Sequence, residues 1–525
     1  MYDDFWTQTP IGLLEFSDRP LQPIPDEDHY YGFFRAHHVA SYLEAYCESH
    51  VYNGASLRAR VRTGDPVTKI RKLDRTWHVD TSRGQSYRAS HLVDASGLTS
   101  NPKIPESLEN GCFEGTIIHH KDFAKWERGL EKVSDTHIIV IGGAKSAADV
   151  AYACAKRGHN VVWLIRESGS GPAAFVSPKG KMGYANSNEL FYTRLTSLFL
   201  VSMFTQGTGY NFVLGWINKT TAGRYLLRRI WQNINAKAWK EADYDRADGK
   251  ANGLYNLKPD TELFWQNDST GINQRPDFFD TIARSVKVFR QDISHLSRDG
   301  VVLNMGETLK ADTIICSTGW KVDHPYFDGC VAAKLGLPVV KDGLSTMQQA
   351  YLDTMDSDAE RHIITDFPIL DSEGARSNDK CNRPDQDKMT PFRLWKSIVP
   401  VQDPSILFVG RLMLGNHFRA AEVQALFACG VLDNTIKLPD VSVMERDVAR
   451  SIAWCRRRYL RKGALGNWFY WDMVPYTDTL LKEMSLTSHR HTSWWKDLFR
   501  PCYARDLKGL IEEYRTKNEA TMNAS

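Results

Sequence analysis

The chain has 525 residues, which is enough for three or four domains of ordinary size. Apolar residues make up 42% of it and charged residues 25%, so a disordered, collagenous or fibrous protein is excluded. The 66 lysine and arginine residues nearly balance the 63 aspartate and glutamate residues, and this overall charge does not predict nucleic-acid binding. The nine cysteines stand singly, which is typical of reduced thiols in a cytoplasmic protein. The composition fits a large soluble enzyme and does not specify its reaction.

The first informative segment is residues 92–97 (LVDASG), an apolar strand pattern that ends in small residues and a glycine. Residues 312–319 (DTIICSTG) repeat this pattern near the middle of the chain. A strand that ends in small residues permits a close approach between its backbone and a cofactor or another segment. We therefore predict that both strand ends lie at points where the chain contacts a cofactor or crosses between domains.

The clearest element between these two segments is a βαβ unit. Residues 137–141 (HIIVI) form a short apolar run, which predicts a buried strand. Residues 144–157 are rich in alanine with apolar residues at helical spacing, and Gly158 suits the position after the helix. Residues 160–165 (NVVWLI) predict a second buried strand, parallel to the first through a right-handed crossover. This unit is half of a doubly wound α/β domain.

The turn between the first strand and the helix is a candidate dinucleotide site. Helix N-terminal amides bind a pyrophosphate when no side chain intervenes. Aligned on the GxGxxG pattern, this turn keeps only the first glycine, but its strand–turn–helix context supports nucleotide binding. The alternative is an α/β domain that binds no nucleotide. The candidate residues are Gly142, Gly143, Ala144, Lys145, Ser146 and Ala147.

The end of the second strand bears on the choice of dinucleotide. NAD enzymes usually place an acidic residue there for the ribose hydroxyl, whereas this chain has Arg166. A cation at this position favours the 2′-phosphate of NADPH; the alternative is a surface arginine paired with Glu167. Residues 169–174 (GSGPAA) also spell a GxGxxA, but Pro172 and their place after the second strand predict a loop, which we expect to pass over the nicotinamide pocket.

Residues 195–216 come closest to membrane-spanning length, but the polar and glycine residues at 205–209 interrupt them. The first interpretation is a pair of buried helices or a pocket lid. The alternative is a patch that docks on a membrane surface without crossing it. The basic flank of that patch would be Lys219, Arg224, Arg228 and Arg229.

Several motifs together resemble the flavin-containing monooxygenase family. Residues 113–119 (FEGTIIH), with Phe123 four residues further on, match the family sequence FxGxxxHxxx(Y/F). Residues 7–18 (TQTPIGLLEFSD) resemble the family segment beside the flavin. Residues 404–410 (PSILFVG) and 421–432 (AEVQALFACGVL) resemble its return to the FAD domain. The resemblance covers nearly the whole chain from residue 6 onward.

The resemblance implies an α/β flavoprotein with two dinucleotide-binding, Rossmann-like domains and a helical C-terminal region. It implies an FAD domain over residues 1–105, to which the chain returns over residues 326–440. The NADPH domain would span residues 106–325, with a helical insertion at about 185–260, and the helical region residues 441–525. The first βαβ unit of such FAD domains is not found, so we expect either a truncated sequence or an FAD that is held differently.

The resemblance also implies the chemistry. NADPH would reduce FAD, and a C4a-(hydro)peroxyflavin formed with O2 would transfer one oxygen atom to a lipophilic small molecule, as in fungal secondary metabolism. Catalytic roles fall to His119 and to Gln8, which stands where many members have Asn. Because His119 is followed directly by His120, a poor arrangement for one ion, we predict no metal site. The implied cofactor contacts outside the glycine turn and Arg166 are Gly97, Phe113, Gly115, Thr318, Gly319, Gly410 and Gln424.

Two alternatives stay open. One is a Baeyer–Villiger monooxygenase, although Phe123 stands where those enzymes usually carry Trp and so favours the first group. The other is an inactive or cofactor-free relic, because the first FAD-binding unit is missing. We expect a cytoplasmic protein with no transmembrane span, for which peripheral membrane contact and the oligomeric state are left open.

Overall fold

The computed structural model describes residues 5–108, 112–129, 136–205, 210–265, 270–341, 345–371 and 388–524. Its strands, numbered in chain order, are β1 (His29–Tyr30), β2 (Phe33–Phe34), β3 (Val51–Tyr52), β4 (Ala55–Ser56), β5 (Val67–Leu73), β6 (Thr76–Thr81), β7 (Ser86–Ala89), β8 (Leu92–Asp94), β9 (Thr116–His119), β10 (His137–Ile141), β11 (Asn160–Ile165), β12 (Ala174–Val176), β13 (Thr270–Ile272), β14 (Val286–Arg290), β15 (Ile293–Ser297), β16 (Gly300–Leu303), β17 (Thr308–Lys310), β18 (Thr313–Cys316), β19 (Leu394–Trp395), β20 (Val399–Pro400) and β21 (Ile406–Phe408).

The α-helices, numbered in the same way, are α1 (His37–Ser49), α2 (Leu57–Arg60), α3 (Phe123–Arg128), α4 (Lys145–Lys156), α5 (Ser187–Phe191), α6 (Arg194–Phe199), α7 (Asn211–Lys219), α8 (Thr221–Ala242), α9 (Phe278–Ser285), α10 (Gly329–Lys334), α11 (Thr346–Asp366), α12 (His417–Leu432), α13 (Val441–Arg458), α14 (Met473–Glu483), α15 (Trp494–Phe499) and α16 (Leu510–Ala524).

The predicted βαβ unit lies at the centre of a five-stranded parallel sheet with the order β14-β11-β10-β18-β9. Strands β10 and β11 have the predicted bounds and pair in parallel. Helix α4 runs between them, and Gly158 follows its end with a φ of 84°. The prediction of strand, helix and second strand is therefore confirmed.

Both faces of this sheet are covered. Ile138 and Val140 of β10 pack in a core cluster with α4 and α9. Ile139 and Ile141 pack on the other face against the antiparallel strands β15, β16 and β17. Because both faces are buried, the strand reads as an uninterrupted apolar run rather than an alternating one.

A second, smaller parallel pair joins β8 to β21 across more than 300 residues of sequence. On one face, Ile406 and Phe408 pack with Ile70 and Trp77 of the antiparallel strands β5, β6 and β7. On the other face, Leu407 belongs to the largest core cluster, which contains residues of α12, α13 and α14. The chain thus leaves this unit after β8 and returns to it only at β21.

Helices α5 to α8 lie within the stretch where a helical insertion was expected. The two halves of the apolar segment, residues 195–216, differ in exposure. The first half is buried, as the first interpretation predicts, and the second half has exposed apolar side chains, as the alternative predicts. Leu198 and Val201 are buried in the core, whereas Phe212 and Trp216 of α7 are exposed, and residues 206–209 lie outside the described residues. In the described part of the chain, no helix is both long enough and apolar enough to cross a membrane.

Candidate functional site

The carboxyl ends of the parallel strands gather most of the predicted site residues at one edge of the five-stranded sheet. Open α/β sheets bind their ligands outside this edge, where loops and helix N termini converge. Strand β10 leads into the glycine turn, β11 ends before the exposed Arg166, and β9 and β18 end beside one another. The predicted residues found here are residues 142–147 of the turn together with His119, Arg166, Thr318 and Gly319.

The glycine turn allows two close backbone approaches. Gly142 has a φ of 140°, and a Cβ built on it would lie 2.3 Å from the carbonyl oxygen of Ser317. A Cβ on Gly143 would lie 2.6 Å from the carbonyl oxygen of Gly171, and the Ala173 amide donates to the Gly143 carbonyl at 2.7 Å. Residues 169–173 therefore form a loop, as predicted, and this loop contacts the turn; its relation to the nicotinamide stays a prediction.

The first turn of α4 carries positive charge. Its N-cap residue, Ala144, has only a methyl group, so no side chain caps the first amides. Lys145 forms an ion pair with the buried Asp149, and Arg275 Nη1 lies 2.5 Å from the same carboxylate. Burial opposes ionisation of Asp149, but the charges of Lys145 and Arg275 outweigh it and lower the pKa of this carboxyl. Two cations and one anion at a helix N terminus favour binding of a phosphate group.

Sequence reasoning missed Asp149 and Arg275. Asp149 lies four residues after Lys145 on one helix, and this spacing was an available signal for an ion pair. Arg275 lies 126 residues away from Asp149 and has no sequence signal, because only the fold brings it to α4. Gly271 also approaches the site closely, since a Cβ there would lie 2.8 Å from Cδ of Lys145.

Gln8 lies in the segment that resembles the flavin-adjacent part of the family. Its Oε1 accepts from the Ile272 amide at 2.7 Å, which places it beside β13. Its Nε2 is buried and has no hydrogen-bond partner in the described part of the chain. Gln274 donates to the Thr7 carbonyl at 2.5 Å, and its own Oε1 is likewise buried and unpartnered there. An unpaired buried amide is costly unless a ligand completes it, so Gln8 Nε2 suits a cofactor carbonyl or carboxamide.

His119 uses both of its ring nitrogens within the protein. Its Nε2 lies 2.9 Å from the Gly319 carbonyl oxygen, and the Lys121 amide donates to Nδ1 at 3.3 Å. Burial lowers the pKa of His119, so the ring is neutral with its hydrogen on Nε2. Backbone groups thus satisfy both ring nitrogens of His119, and its predicted catalytic role stays a prediction.

The segment that follows the first glycine-ending strand contacts the end of the second one. The Lys103 amide donates to the Gly319 carbonyl at 3.0 Å, and the Thr318 hydroxyl donates to the Lys103 carbonyl. Arg411 Nη1 donates to the Gly97 carbonyl at 2.7 Å. Gly97 and Gly319 have φ angles of 70° and 84°, which favour glycine. The predicted approach between chain segments is confirmed, and cofactor contact at Gly97, Thr318 and Gly319 stays a prediction.

Phe113 and Gly115 do not lie at this edge. They precede β9, whereas His119 ends it, and a strand rising ~3.3 Å per residue separates Gly115 from His119 by about 13 Å. A Cβ on Gly115 would lie 2.3 Å from Cζ of Phe113 and 2.5 Å from the carbonyl oxygen of Asp312. Gly115 thus makes room for the Phe113 ring, which packs against the core under β15 to β17, and the predicted cofactor role of this pair stays a prediction.

Gly410 and Gln424 bind each other. Gln424 Oε1 accepts from the Gly410 amide at 3.0 Å, and its Nε2 donates to the Tyr476 hydroxyl at 2.7 Å. Both residues lie at the carboxyl end of β21, as the resemblance implied, but their polar groups are already paired. Gln424 thus fixes the strand end to α14, and cofactor contact at Gly410 and Gln424 stays a prediction.

The segment of residues 7–18 lies across the N terminus of α12. Asn416 caps this helix by accepting from the Phe418 amide at 3.0 Å, and its Nδ2 donates to the Leu13 carbonyl at 2.8 Å. The Ser17 amide donates to Glu422 Oε2 at 3.1 Å. These contacts fix the segment to α12.

The two cofactors that the resemblance implies fit to different extents. The turn from β10 into α4, with Lys145 and Arg275, provides a cradle for the phosphates of one dinucleotide. At the β8–β21 unit Arg411 Nη2 lies 2.9 Å from Asp94 Oδ2, and Arg411 Nε is buried without a hydrogen-bond partner among the described residues. The described residues thus fit NADPH at the glycine turn, and a contact of FAD with the unpaired Gln8 Nε2 stays a prediction.

One group of potential metal ligands lies away from this edge. Asp28, His37 and His38 each place a ligand atom within 4.8 Å of the others. His38 Nε2 lies 2.9 Å and Arg35 Nε 3.2 Å from the Asp28 carboxylate, so ion pairing already accounts for the cluster. We therefore assign no metal-binding role to this cluster.

Known proteins resemble the chain at the level of both sequence and fold. Residues 31–188 match the pyridine nucleotide-disulphide oxidoreductase family. The FAD-dependent monooxygenase DEP4 of Fusarium langsethiae is 28% identical over 540 residues, which cover 100% of this chain and 89% of the relative. The FAD-dependent monooxygenase resA of Aspergillus sclerotiorum is 28% identical and covers 99% of this chain and 91% of its own length.

Solved structures of cyclohexanone monooxygenase share the fold. The cyclohexanone-bound enzyme in its rotated conformation superimposes with a TM-score of 0.55 at 16% identity, covering 92% of this chain and 88% of that one. The NADP+-bound enzyme from Rhodococcus sp. Phi1 gives a TM-score of 0.52 at 16% identity, covering 90% and 89%. The α/β architecture with two dinucleotide-binding units and a helical C-terminal region is thereby confirmed. The chain is similar along its whole length to the FAD-dependent monooxygenases of fungi.

Proposed function

We propose that the chain is an FAD- and NADPH-dependent monooxygenase that transfers one oxygen atom from O2 to a lipophilic small molecule. The observation that carries this proposal is the site at the start of α4. There an uncapped helix N terminus, Lys145 and Arg275 converge beside a glycine turn, and Gln8 presents an unpaired buried amide nearby. The full-length similarity to FAD-dependent monooxygenases supports the same function.

The residues of this chain would bind and orient the cofactors, and FAD, when bound, would supply the redox chemistry with NADPH and O2. The α4 N terminus, with Lys145 and Arg275, holds the phosphates of NADPH. Arg166 is exposed at the end of β11 and is in no ion pair with any described residue, Glu167 included, so it is available for the 2′-phosphate. His119 holds the crossover at Gly319 and thereby sets the spacing between the two units.

A cavity of about 710 Å³ between α13, α14 and the segment after α6 is the candidate substrate cavity. Met203, Phe204 and Tyr476 form its apolar wall, and Lys396 and Glu483 are among its polar residues. The Phe204 ring packs 5.5 Å from that of Tyr476. The rest of the lining is charged or polar, so the cavity suits a small molecule that carries polar groups beside an apolar part.

The proposal is tested by reconstitution. The purified full chain is incubated with FAD and freed of excess flavin, and its visible spectrum, NADPH oxidation and O2 consumption are measured. We expect retained flavin and NADPH oxidation coupled to O2 uptake. The matched variant is Lys145→Glu, which reverses the charge at the helix start and should abolish NADPH oxidation while flavin is retained. A chain that neither retains flavin nor consumes NADPH would instead be the inactive or cofactor-free relic.

Baeyer–Villiger chemistry is a second candidate because the chain shares the cyclohexanone monooxygenase fold. The choice of Phe at position 123 does not decide between the two reactions, since Phe123 is buried in the core with α4 and its identity follows from packing. Product analysis separates them: a ketone converted to an ester or lactone supports the Baeyer–Villiger reaction, whereas hydroxylated or N- or S-oxidised products support the first.

A further inference from the structure

We propose that helices α7 and α8 dock this protein on the surface of an anionic membrane, without crossing it. The docking surface consists of the solvent-facing sides of these two helices. Its evidence is independent of the proposed reaction, because it rests on exposed apolar side chains, on unpaired basic side chains and on the rigid corner that joins the helices.

The charge of this region is unlike that of the rest of the chain. Residues 190–240 contain seven lysine or arginine residues and not one aspartate or glutamate, although basic and acidic residues nearly balance over the chain as a whole. Arg194 is buried in ion pairs with Asp478 and Asp497, and Lys219 lies 4.0 Å from Asp366, so the positive field that favours an anionic surface comes from the other five cations. The basic residues of this stretch are Arg194, Lys219, Arg224, Arg228, Arg229, Lys237 and Lys240.

Helix α7 has an apolar face in solvent. Phe212 is 87% exposed, and Val213 and Trp216 are exposed beside it. At about 100° per residue, these three side chains fall within about 100° of the helix circumference. Leu214 and Ile217 point the other way, into the largest core cluster. The helix is thus fixed by one apolar face and presents a second one to solvent, which is the arrangement of a helix that lies in a membrane interface.

Helix α8 continues this surface with aromatic and basic side chains. Its exposed side includes Tyr225, which is 65% exposed. The exposed aromatic, apolar and basic side chains of α8 fall within one half of the helix circumference at 3.6 residues per turn. Leu227 and Trp231 anchor the opposite side in the core. In the part of the chain that the structure describes, the four cations of the exposed side form no ion pair. The side consists of Tyr225, Leu226, Arg228, Arg229, Lys237 and Lys240, among polar residues.

The two helices meet at a rigid corner. Thr220 Oγ1 donates to the Trp216 carbonyl at 2.7 Å and accepts from the Gly223 amide at 3.0 Å, so one residue ends α7 and begins α8. Arg224 Nη1 donates to the Lys219 carbonyl at 2.9 Å. A Cβ on Gly223 would lie 2.3 Å from the Trp216 carbonyl oxygen, which shows how closely the helices approach. The exposed apolar side chains are therefore held in place and cannot fold back onto the core.

The unpaired cations and exposed aromatic side chains of the docking surface favour a lipid surface over a second copy of the chain as its binding partner. Two identical faces of this kind would bring unpaired cations together, which is unfavourable, whereas anionic headgroups would neutralise them. Aromatic side chains such as Trp216 and Tyr225 suit the boundary between headgroups and acyl chains. Docking there would bring the protein to the phase in which lipophilic molecules concentrate.

Vesicle sedimentation tests the proposal with the full chain. The probes are phosphatidylcholine vesicles and vesicles in which about one third of the lipid is phosphatidylserine. We expect the wild-type chain to sediment with the anionic vesicles, weakly with the neutral ones, and less at high salt. Phe212→Ser/Trp216→Ser should lower the partition coefficient at least ~10-fold through lost apolar burial. Arg228→Glu/Arg229→Glu should lower it at least ~25-fold, because each cation contributes a factor of about 5.

The matched controls change the same residue types elsewhere. Met305→Ser/Met347→Ser removes two exposed apolar side chains, and Lys287→Glu/Lys310→Glu reverses two exposed charges; both should bind vesicles like the wild type. Thermal unfolding of every variant checks that it is folded. Wild-type chain that stays in solution with anionic vesicles overturns the proposal, as does equal binding of all variants. Light scattering that shows a dimer lost in Phe212→Ser/Trp216→Ser, without vesicle binding, would assign the surface to a second copy instead.

Discussion

The predicted site residues differ in whether their hydrogen-bonding groups already have partners within the protein. His119, Gly410 and Gln424 have polar groups that are paired within the fold, and they hold the units together. Gln8 keeps a buried Nε2 without a partner in the described chain, and Arg166 is exposed without a partner among the described residues. Because an unsatisfied buried amide or an unpaired cation gains most from a ligand, these two side chains are the better candidates for cofactor contact.

Arg166 makes a testable distinction between the two nicotinamide cofactors. We expect Arg166→Ala to raise the dissociation constant for NADP+ by about 10-fold and to leave that for NAD+ unchanged, because the lost contact with the 2′-phosphate is worth roughly 1–2 kcal/mol. Isothermal titration calorimetry of the two nucleotides measures this. Glu167→Ala, on the neighbouring exposed residue, is the control and should not weaken NADP+ binding. Equal losses for both nucleotides would contradict a 2′-phosphate contact.

At the scale of elements, the site depends on how closely the turn after β10 approaches the end of β18. The Ser317 carbonyl and the loop of residues 169–173 both pack onto this turn, and neither contact leaves space for a side chain. The turn thereby keeps the α4 N terminus free of side chains while it is held from two sides. Glycine is needed here for space, in contrast with Gly158 after α4, where a Cβ would meet nothing within 4 Å and only the φ of 84° favours glycine.

This contrast predicts different costs for two alanine substitutions. Gly158→Ala should lower the free energy of unfolding by about 1 kcal/mol, the cost of a positive φ alone. Gly142→Ala should cost at least about 2–3 kcal/mol, because its Cβ must also displace the Ser317 carbonyl. It should weaken NADP+ binding as well, whereas Gly158→Ala should not. Urea unfolding and nucleotide titration measure both effects, and equal costs would show that the turn relaxes without strain.

At the scale of the whole molecule, several histidines are buried as neutral rings. Burial lowers the pKa of His120 and of His324 to about 4, and for His324 the charge of Arg411 adds to this. Both ring nitrogens of His324 are buried without a partner in the described chain. Histidine has a pKa of about 6.5 in the unfolded chain, so between about pH 6.5 and about pH 4 these residues are protonated in the unfolded chain but not in the folded protein. Stability from these residues is complete above about pH 6.5 and is lost as the pH falls towards about 4.

A single variant isolates this effect. His324→Phe should narrow the difference in unfolding free energy between about pH 7.5 and about pH 5 by ~2 kcal/mol, because a phenyl ring has no proton to gain. His324 contacts the Phe392 ring at 6.0 Å, an environment that accepts a second phenyl group. His295→Phe, on an exposed residue of β15, is the control and should leave the difference unchanged. An unaltered pH dependence in His324→Phe would mean that His324 is protonated in the folded protein.

Local sequence was sufficient for the elements around the glycine turn. The bounds of β10 and β11 were predictable because both strands are buried on two faces and are bounded by Gly142 and Gly158. The family motif of residues 113–119 was recognisable too. It spans the whole of β9, so its two ends lie at opposite edges of the sheet, and local sequence did not show this separation.

The sequence by itself determined the doubly wound unit, the crossovers at the two glycine-ending strands, the position of Arg166 and the family resemblance. Only the tertiary structure decided that Arg275 joins Lys145 and Asp149, that Gln8 keeps a free amide, and that Gln424 and His119 are satisfied internally. The physical reason is that periodicity and turn residues act over a few neighbours, whereas these pairings join residues that are up to 264 positions apart and depend on how the two units pack.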